Sequence, residues 1–217
     1  MSDSLSKTGP EKPLLHEASA GAPPLQGRAL ISRDMHVLAA AHQLPVHNAK
    51  LLDLLAIART YEEELLLFNP KPPEEFAKLK HLATEVADYA CRDNSSLTLS
   101  HRLFLLADSG LESDKLARQA NGGLRSSDYG TDLGTYTVAR KLSDDEARAV
   151  LEEYLDRAPS PGEWRHFWAM VGLAAWCSYA WCIMEETRNQ RPVPARKQCH
   201  QLAESHLTKA LGLYGED

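Results

Sequence analysis

Cysteine is scarce in this 217-residue chain and carries no pattern: Cys91, Cys177, Cys182 and Cys199 include no Cys-x-x-Cys pair. That argues against a zinc ribbon or a disulfide-stapled scaffold and predicts buried free thiols in a cytoplasmic protein. Long apolar runs are missing too. The longest, around Met170 to Trp176, falls far short of the roughly 20 residues a membrane-spanning helix needs, so no membrane partner is expected. The N-terminus shows no basic-then-apolar leader, which argues against secretion. Basic residues are not in excess: the net charge of -6 argues against nucleic-acid binding. With 43% hydrophobic residues, the length suits one sizeable core and is too short for two large domains.

Organisation follows from where the helix breakers fall. Residues 1–27 are rich in Ser, Gly, Pro and charge with no sustained period, and are expected to form a disordered tail. From residue 28 to 217 the pattern predicts one mainly α domain. A first helix is expected from Arg28 to Gln43, and a second from Asn48 to Phe68 with Leu54, Ala58, Tyr61 and Leu65 along its apolar side. The prolines at 70, 72 and 73 stop it, and Pro73 suits the first position of a third helix reaching Cys91. Leu97 to Leu106 reads as a strand or extended loop, so a short β element is expected near Leu97 to Leu116. Leu111 to Asp128 has too little periodicity to assign.

An Asp132-Leu133-Gly134 turn is then expected to lead into two helices with clear N-terminal signals. Ser143 with Glu146, and Ser160 with Glu163, are capping boxes, and Pro161 sits at a first helical position. The helix between them should end near Arg157. The next should run to Asn189, carrying all four tryptophans, and a last helix should span Pro194 to Leu213.

Several segments share the order of one known family. Ala41-His42-Gln43-Leu44-Pro45, Tyr61-Glu62-Glu63-Glu64-Leu65, Lys71-Pro72-Pro73-Glu74-Glu75-Phe76, Asp132-Leu133-Gly134-Thr135-Tyr136 and Leu151-Glu152-Glu153-Tyr154 follow one another. This resembles the C-terminal lobe of choline and ethanolamine kinases and aminoglycoside phosphotransferases. The resemblance covers about Leu30 to Tyr214 and implies the helical C-lobe of a protein-kinase-like fold.

The chemistry such a lobe would carry is largely missing. The family loop has the form His-x-Asp with Asn about five residues later, the Asp positioning the substrate hydroxyl and the Asn helping hold magnesium. Here His101 matches as a loop remnant, Leu103 occupies the catalytic Asp place, and Asp108 falls where the Asn belongs. With a deletion, Ala107 to Gly110 would instead match the turn after the loop. Arg118 stands where the second magnesium-binding Asp is implied, leaving Asp114 or Asp128 as candidate substitutes. Asp132 matches a family aspartate that supports the loop architecture. Upstream, Gly21-Ala22-Pro23-Pro24 is no phosphate-covering loop, so no nucleotide lobe is expected before the first helix.

The aromatic group is the remaining candidate site. At 100° per residue, Trp164, Trp168 and Tyr179 share one helix face, with Trp176 at its edge and Glu185 one turn beyond. Because the family holds a quaternary ammonium among aromatic faces, the resemblance implies a residual choline or amine pocket here. The same aromatics could instead anchor a core helix. His42, His166, His200 and His206 show no zinc-like spacing with Cys or acids.

The expected function is that of a degenerate, catalytically impaired relative, a pseudokinase, that binds a small amine or a partner protein, with no cofactor. The face left by the missing lobe could pair with that partner or with a second copy. One alternative is an active choline-type kinase taking its ATP lobe from another chain, and only then using magnesium and ATP. The other is a structural or vestigial lobe without ligand.

Overall fold

In the computed structural model, residues 27–43, 50–69, 71–93, 97–100 and 125–215 are described. The expected tail lies outside them up to residue 26. Seven helices and three short strands make up the described chain: α1 (Gly27–His42), β1 (Lys50–Leu51), α2 (Leu54–Phe68), α3 (Glu74–Ala90), β2 (Leu97–Leu99), β3 (Arg125–Asp128), α4 (Tyr129–Arg140), α5 (Asp144–Leu155), α6 (Pro161–Asn189) and α7 (Arg196–Gly215). The mainly helical architecture is therefore the one expected from the periodicity.

Helix α6 is the centre of the fold. It packs against α2, α3, α4 and α7, and its interface with α7 is the largest between any two described elements. Its buried residues run almost without interruption from His166 to Glu185, so it is apolar nearly all round, as a helix enclosed by others must be. It is also long and apolar enough to cross a membrane, but most of it is buried inside the protein. Leu54, Ala58, Tyr61 and Leu65 of α2, and Phe76, Leu79, Ala83 and Val86 of α3, supply facing stripes. Helix α1 packs on α5 and is tied to α4 by the Tyr136 hydroxyl, which donates to Asp34 over 3.0 Å.

The helix ends follow local chemistry. Both capping boxes form as their sequences demand, with Pro161 opening α6. Lys141, Asp156 and Gln190 then close α4, α5 and α6 in the left-handed conformation, at φ 54°, 53° and 52°.

Three local expectations are corrected. Helix α2 begins at Leu54 and not at Asn48, because the Asp53 side chain accepts from the Leu55 amide as an N-cap and Lys50–Leu51 is a strand. Pro73 caps α3 from just outside the helix. The Asp132-Leu133-Gly134 turn is helical, the second turn of α4. Gly134 is needed there for another reason: a Cβ at that position would lie 2.6 Å from the Met170 backbone, so α4 can cross α6 this closely only through a glycine.

The strands form a small sheet in the order β1-β3-β2. β1 runs parallel to β3, with Leu51 opposite Ser126, and β2 runs antiparallel, with Leu97 opposite Asp128. β2 lies in the predicted β region. β1 and β3 carry too few residues to signal themselves, since two-residue and four-residue strands cannot display a period.

Candidate functional site

The chain leaves β2 at Ser100, beside the start of α4. β3 ends at Asp128, whose carboxylate caps α4 by accepting from the Gly130 amide over 2.7 Å. One turn further on, Asp132 is fully buried at 0% exposure. Its Oδ1 accepts the Ser100 hydroxyl over 3.1 Å, and its Oδ2 lies 3.1 Å from His42 Nε2. The other ring nitrogen of His42 is 2.8 Å from the Tyr154 hydroxyl. A neutral imidazole protonated on Nε2 satisfies both contacts, donating to the carboxylate and accepting from the phenol. Burial, with the charges of Asp132 and Asp128 nearby, raises the Tyr154 hydroxyl well above its ordinary value, which keeps it a donor.

The ends of α1, β2, α4 and α5 are thus pinned to one buried carboxylate. Asp132 has no open surface from which to take a substrate proton, so it fixes the position of the chain at Ser100.

A second charged cluster lies beside the first. His166 on α6 is almost fully buried, with Nδ1 3.3 Å from Asp93 and Nε2 2.9 Å from Asp128. Only an imidazolium donates from both nitrogens. Burial opposes that charge, but the Asp128 hydrogen bond and the two carboxylates outweigh it and raise the His166 pKa. Asp93 also pairs with Arg165 and accepts the Tyr214 hydroxyl. An adjoining cavity of about 360 Å³ is lined by Arg92, Tyr129, Ser160, Gly162 and Glu163 together with Asp93, Arg165 and His166. Arg157, with the Ser160 cap, holds the Glu163 carboxyl down to about 2.

The candidates taken from the sequence fall in three places. His101, Asp108 and Asp114 lie outside the described residues. Asp128 is engaged as a helix cap and as a partner of His166. The aromatic candidates are spread along α6 in two groups. Trp164, Phe167 and Trp168 pack edge-on or stacked on one another, with His206 of α7 5.4 Å from Trp168. Further along, Trp176 and Tyr179 pack against Phe76 of α3.

Trp168 and Tyr179 have no exposed surface and Trp176 has 2%. The protein's own cations already sit on two of the rings: Lys209 Nζ is 3.5 Å from the Trp168 centroid and the Arg148 guanidinium 4.6 Å from that of Trp164. Glu185 is bound within its own helix by Arg188 and Asn189. The five candidates do not converge on one ring of open faces.

Spacing gave no sign that His42 and His166 pair with carboxylates, because each partnership spans dozens of residues. The Ala41-His42-Gln43 element and Asp132, each noted separately, were the available signal for the first. Nothing in the sequence pointed to His166 with Asp93. Among the described residues no group of three or more His, Cys, Asp or Glu is arranged to hold a metal ion.

The fold has counterparts among solved structures. A choline/ethanolamine kinase family protein from Mesorhizobium loti superposes with a TM-score of 0.63 at 14% identity, over 85% of this chain. The fold is that of the choline kinases. The choline kinase LicA from Streptococcus pneumoniae gives 0.62 at 13% identity, and LicA in complex with AMP gives 0.61, each over 84% of this chain. The chain spans only 62% to 64% of the length of these choline kinase structures. No family model and no curated protein sequence matches it.

Proposed function

We propose that this chain is a catalytically impaired choline-kinase-like lobe that serves as a cytoplasmic binding scaffold for a partner protein. One observation carries the reading. Asp132, an aspartate of the kind the family resemblance implies near the loop, is sealed in the core with both oxygens engaged by Ser100 and His42. It cannot replace the base missing at Leu103. Asp128 is only part-buried but is engaged by the Gly130 amide and His166. Among the described residues no group of three or more His, Cys, Asp or Glu is arranged to hold a metal ion, so no phosphoryl-transfer step is drawn through one. Losing the base and the metal removes the positioning and electrostatics on which phosphoryl transfer depends.

Exposed apolar residues support the binding half of the proposal. Leu66, Leu67 and Phe68 stand out together at the end of α2, with Leu67 81% exposed, and Leu51 is exposed on edge strand β1. A small amine such as choline is the second reading, supported by the aromatics of α6 with Lys209 and Arg148 over two of the rings, although an added cation would have to displace one of these side chains.

The test is turnover and thermal stability with magnesium-ATP and choline, added separately and together. The proposal expects no phosphocholine and no shift with either. Magnesium-dependent phosphorylation of choline would overturn it. A shift with choline alone would replace the partner-protein reading with the amine reading.

A further inference from the structure

The two thiols that the sequence separates by 17 positions, Cys182 of α6 and Cys199 of α7, meet across the largest helix interface in the protein. Their sulfurs are 3.6 Å apart, with the Cys182 thiol donating to Cys199. A disulfide needs about 2.05 Å between sulfurs, so closure requires roughly 1.5 Å of movement, within reach of side-chain rotation and a slight helix adjustment.

The two sites are unequal in a useful way. Cys182 is fully buried, whereas Cys199 is partly exposed to solvent. Reagents therefore meet Cys199 first. The hydrogen bond from Cys182, aided by the Lys141 charge, holds the Cys199 thiol below its ordinary range, and the same bond together with burial pushes Cys182 up. One sulfur is set up to be oxidised and the other waits behind it.

We propose that Cys182 and Cys199 are a redox-reactive dithiol that closes into a disulfide joining α6 to α7 when the protein meets a peroxide. The Cys199 thiol gives up its proton, and the thiolate attacks one peroxide oxygen, breaking the O–O bond and forming a sulfenic acid while the other oxygen leaves as hydroxide and takes up that proton to become water. The Cys182 sulfur then attacks the sulfenic sulfur, loses its proton, and expels the second water as the S–S bond forms. Two thiols surrender two electrons to one peroxide, and a thiol reductant reverses the change. The bond would fasten α7, which carries Lys209 onto Trp168 and Tyr214 onto Asp93, to the central helix. This inference does not depend on the proposed binding function.

The experiment treats the reduced full-length chain with hydrogen peroxide, blocks the remaining thiols by alkylation and maps the protein by mass spectrometry. Two of the four thiols should become unreactive. Fragment ions should place one bond between Cys182 and Cys199, and dithiothreitol should restore all four thiols. Cys199→Ser should reduce the bridge at least tenfold, whereas Cys91→Ser should leave it unchanged. Cys199→Ala, which adds no buried hydroxyl, provides the same test if the serine variant folds poorly. Four reactive thiols after peroxide, or a bridge made through Cys177 or Cys91, would overturn the proposal.

Discussion

The two halves of the α6 surroundings are held by different means. Near its N-terminal end, His166 sits between carboxylates, and beside it Asp132 gathers Ser100 and His42. On the sides facing α3 and α7, the helix is held instead by Trp168, Trp176, Tyr179 and the aliphatic residues around them. The first region depends on direction, because each partner must present the right atom. The second depends on volume and tolerates rotation of a ring more readily than loss of one. The polar region is also where the chain departs from β2 toward residue 101. The groups that fix geometry are thus concentrated around the end of β2 and the start of α4.

Removing a charge should expose this difference most strongly. Asp132→Ala would remove the acceptor shared by buried His42 and half-buried Ser100 and should destabilise the protein by about 2–4 kcal/mol in urea unfolding. Asp132→Asn keeps the shape and one acceptor, and should recover part of that loss. A change below about 1 kcal/mol for the alanine variant would show that the polar cluster does not hold the fold.

The contact between the two regions offers a smaller test. Gly134 lies where α4 crosses the Met170 backbone, so Gly134→Ala should cost about 1–3 kcal/mol by forcing the helices apart. Elsewhere in a helix the same substitution ordinarily stabilises by up to about 1 kcal/mol. Gly162, with nothing within 4 Å of an added Cβ, is the internal control. If both variants unfolded at the same urea concentration, the close crossing would not be a constraint.

These particulars show what the sequence could and could not display. Caps are local, so Ser143 with Glu146 and Ser160 with Glu163 announced their helices correctly. Helical stripes of Leu, Ala and Phe marked the faces of α2 and α3. Gly134 resembled a turn because close helix approach and a turn both select glycine. Of the sheet only β2 was anticipated, because the pairing of Lys50–Leu51 with Arg125 and Ser126 is set by long-range contact. The same limit hid His42 beside Asp132, His166 beside Asp93, and Cys182 beside Cys199. Aromatic spacing showed that Trp164, Trp168 and Tyr179 share a side of α6. It could not show that Phe76, His206 and Lys209 would cover them.

The smallest expected effect separates the regions by pH. His166 faces Asp93, Asp128 and Arg165, with Tyr129 and Tyr214 close by, and its folded pKa is raised. Its contribution should be complete below the ordinary value of 6.5 and should fade as pH rises through the raised folded value. His206 has the opposite setting on the aromatic side: burial first, then Lys209, lowers its pKa, with Asp144 opposing. It remains neutral in the folded protein while the unfolded chain takes up a proton, so its environment costs stability as pH falls below 6.5. Melting temperatures from pH 5 to 9 for the parent, His166→Gln and His206→Gln separate the two. The gap between the parent and His166→Gln should narrow with rising pH, whereas His206→Gln should gain on the parent as pH falls. A pH-independent gap for His166→Gln would mean that its ring acts through shape alone, and the polar cluster would then be a packing feature like the aromatic one.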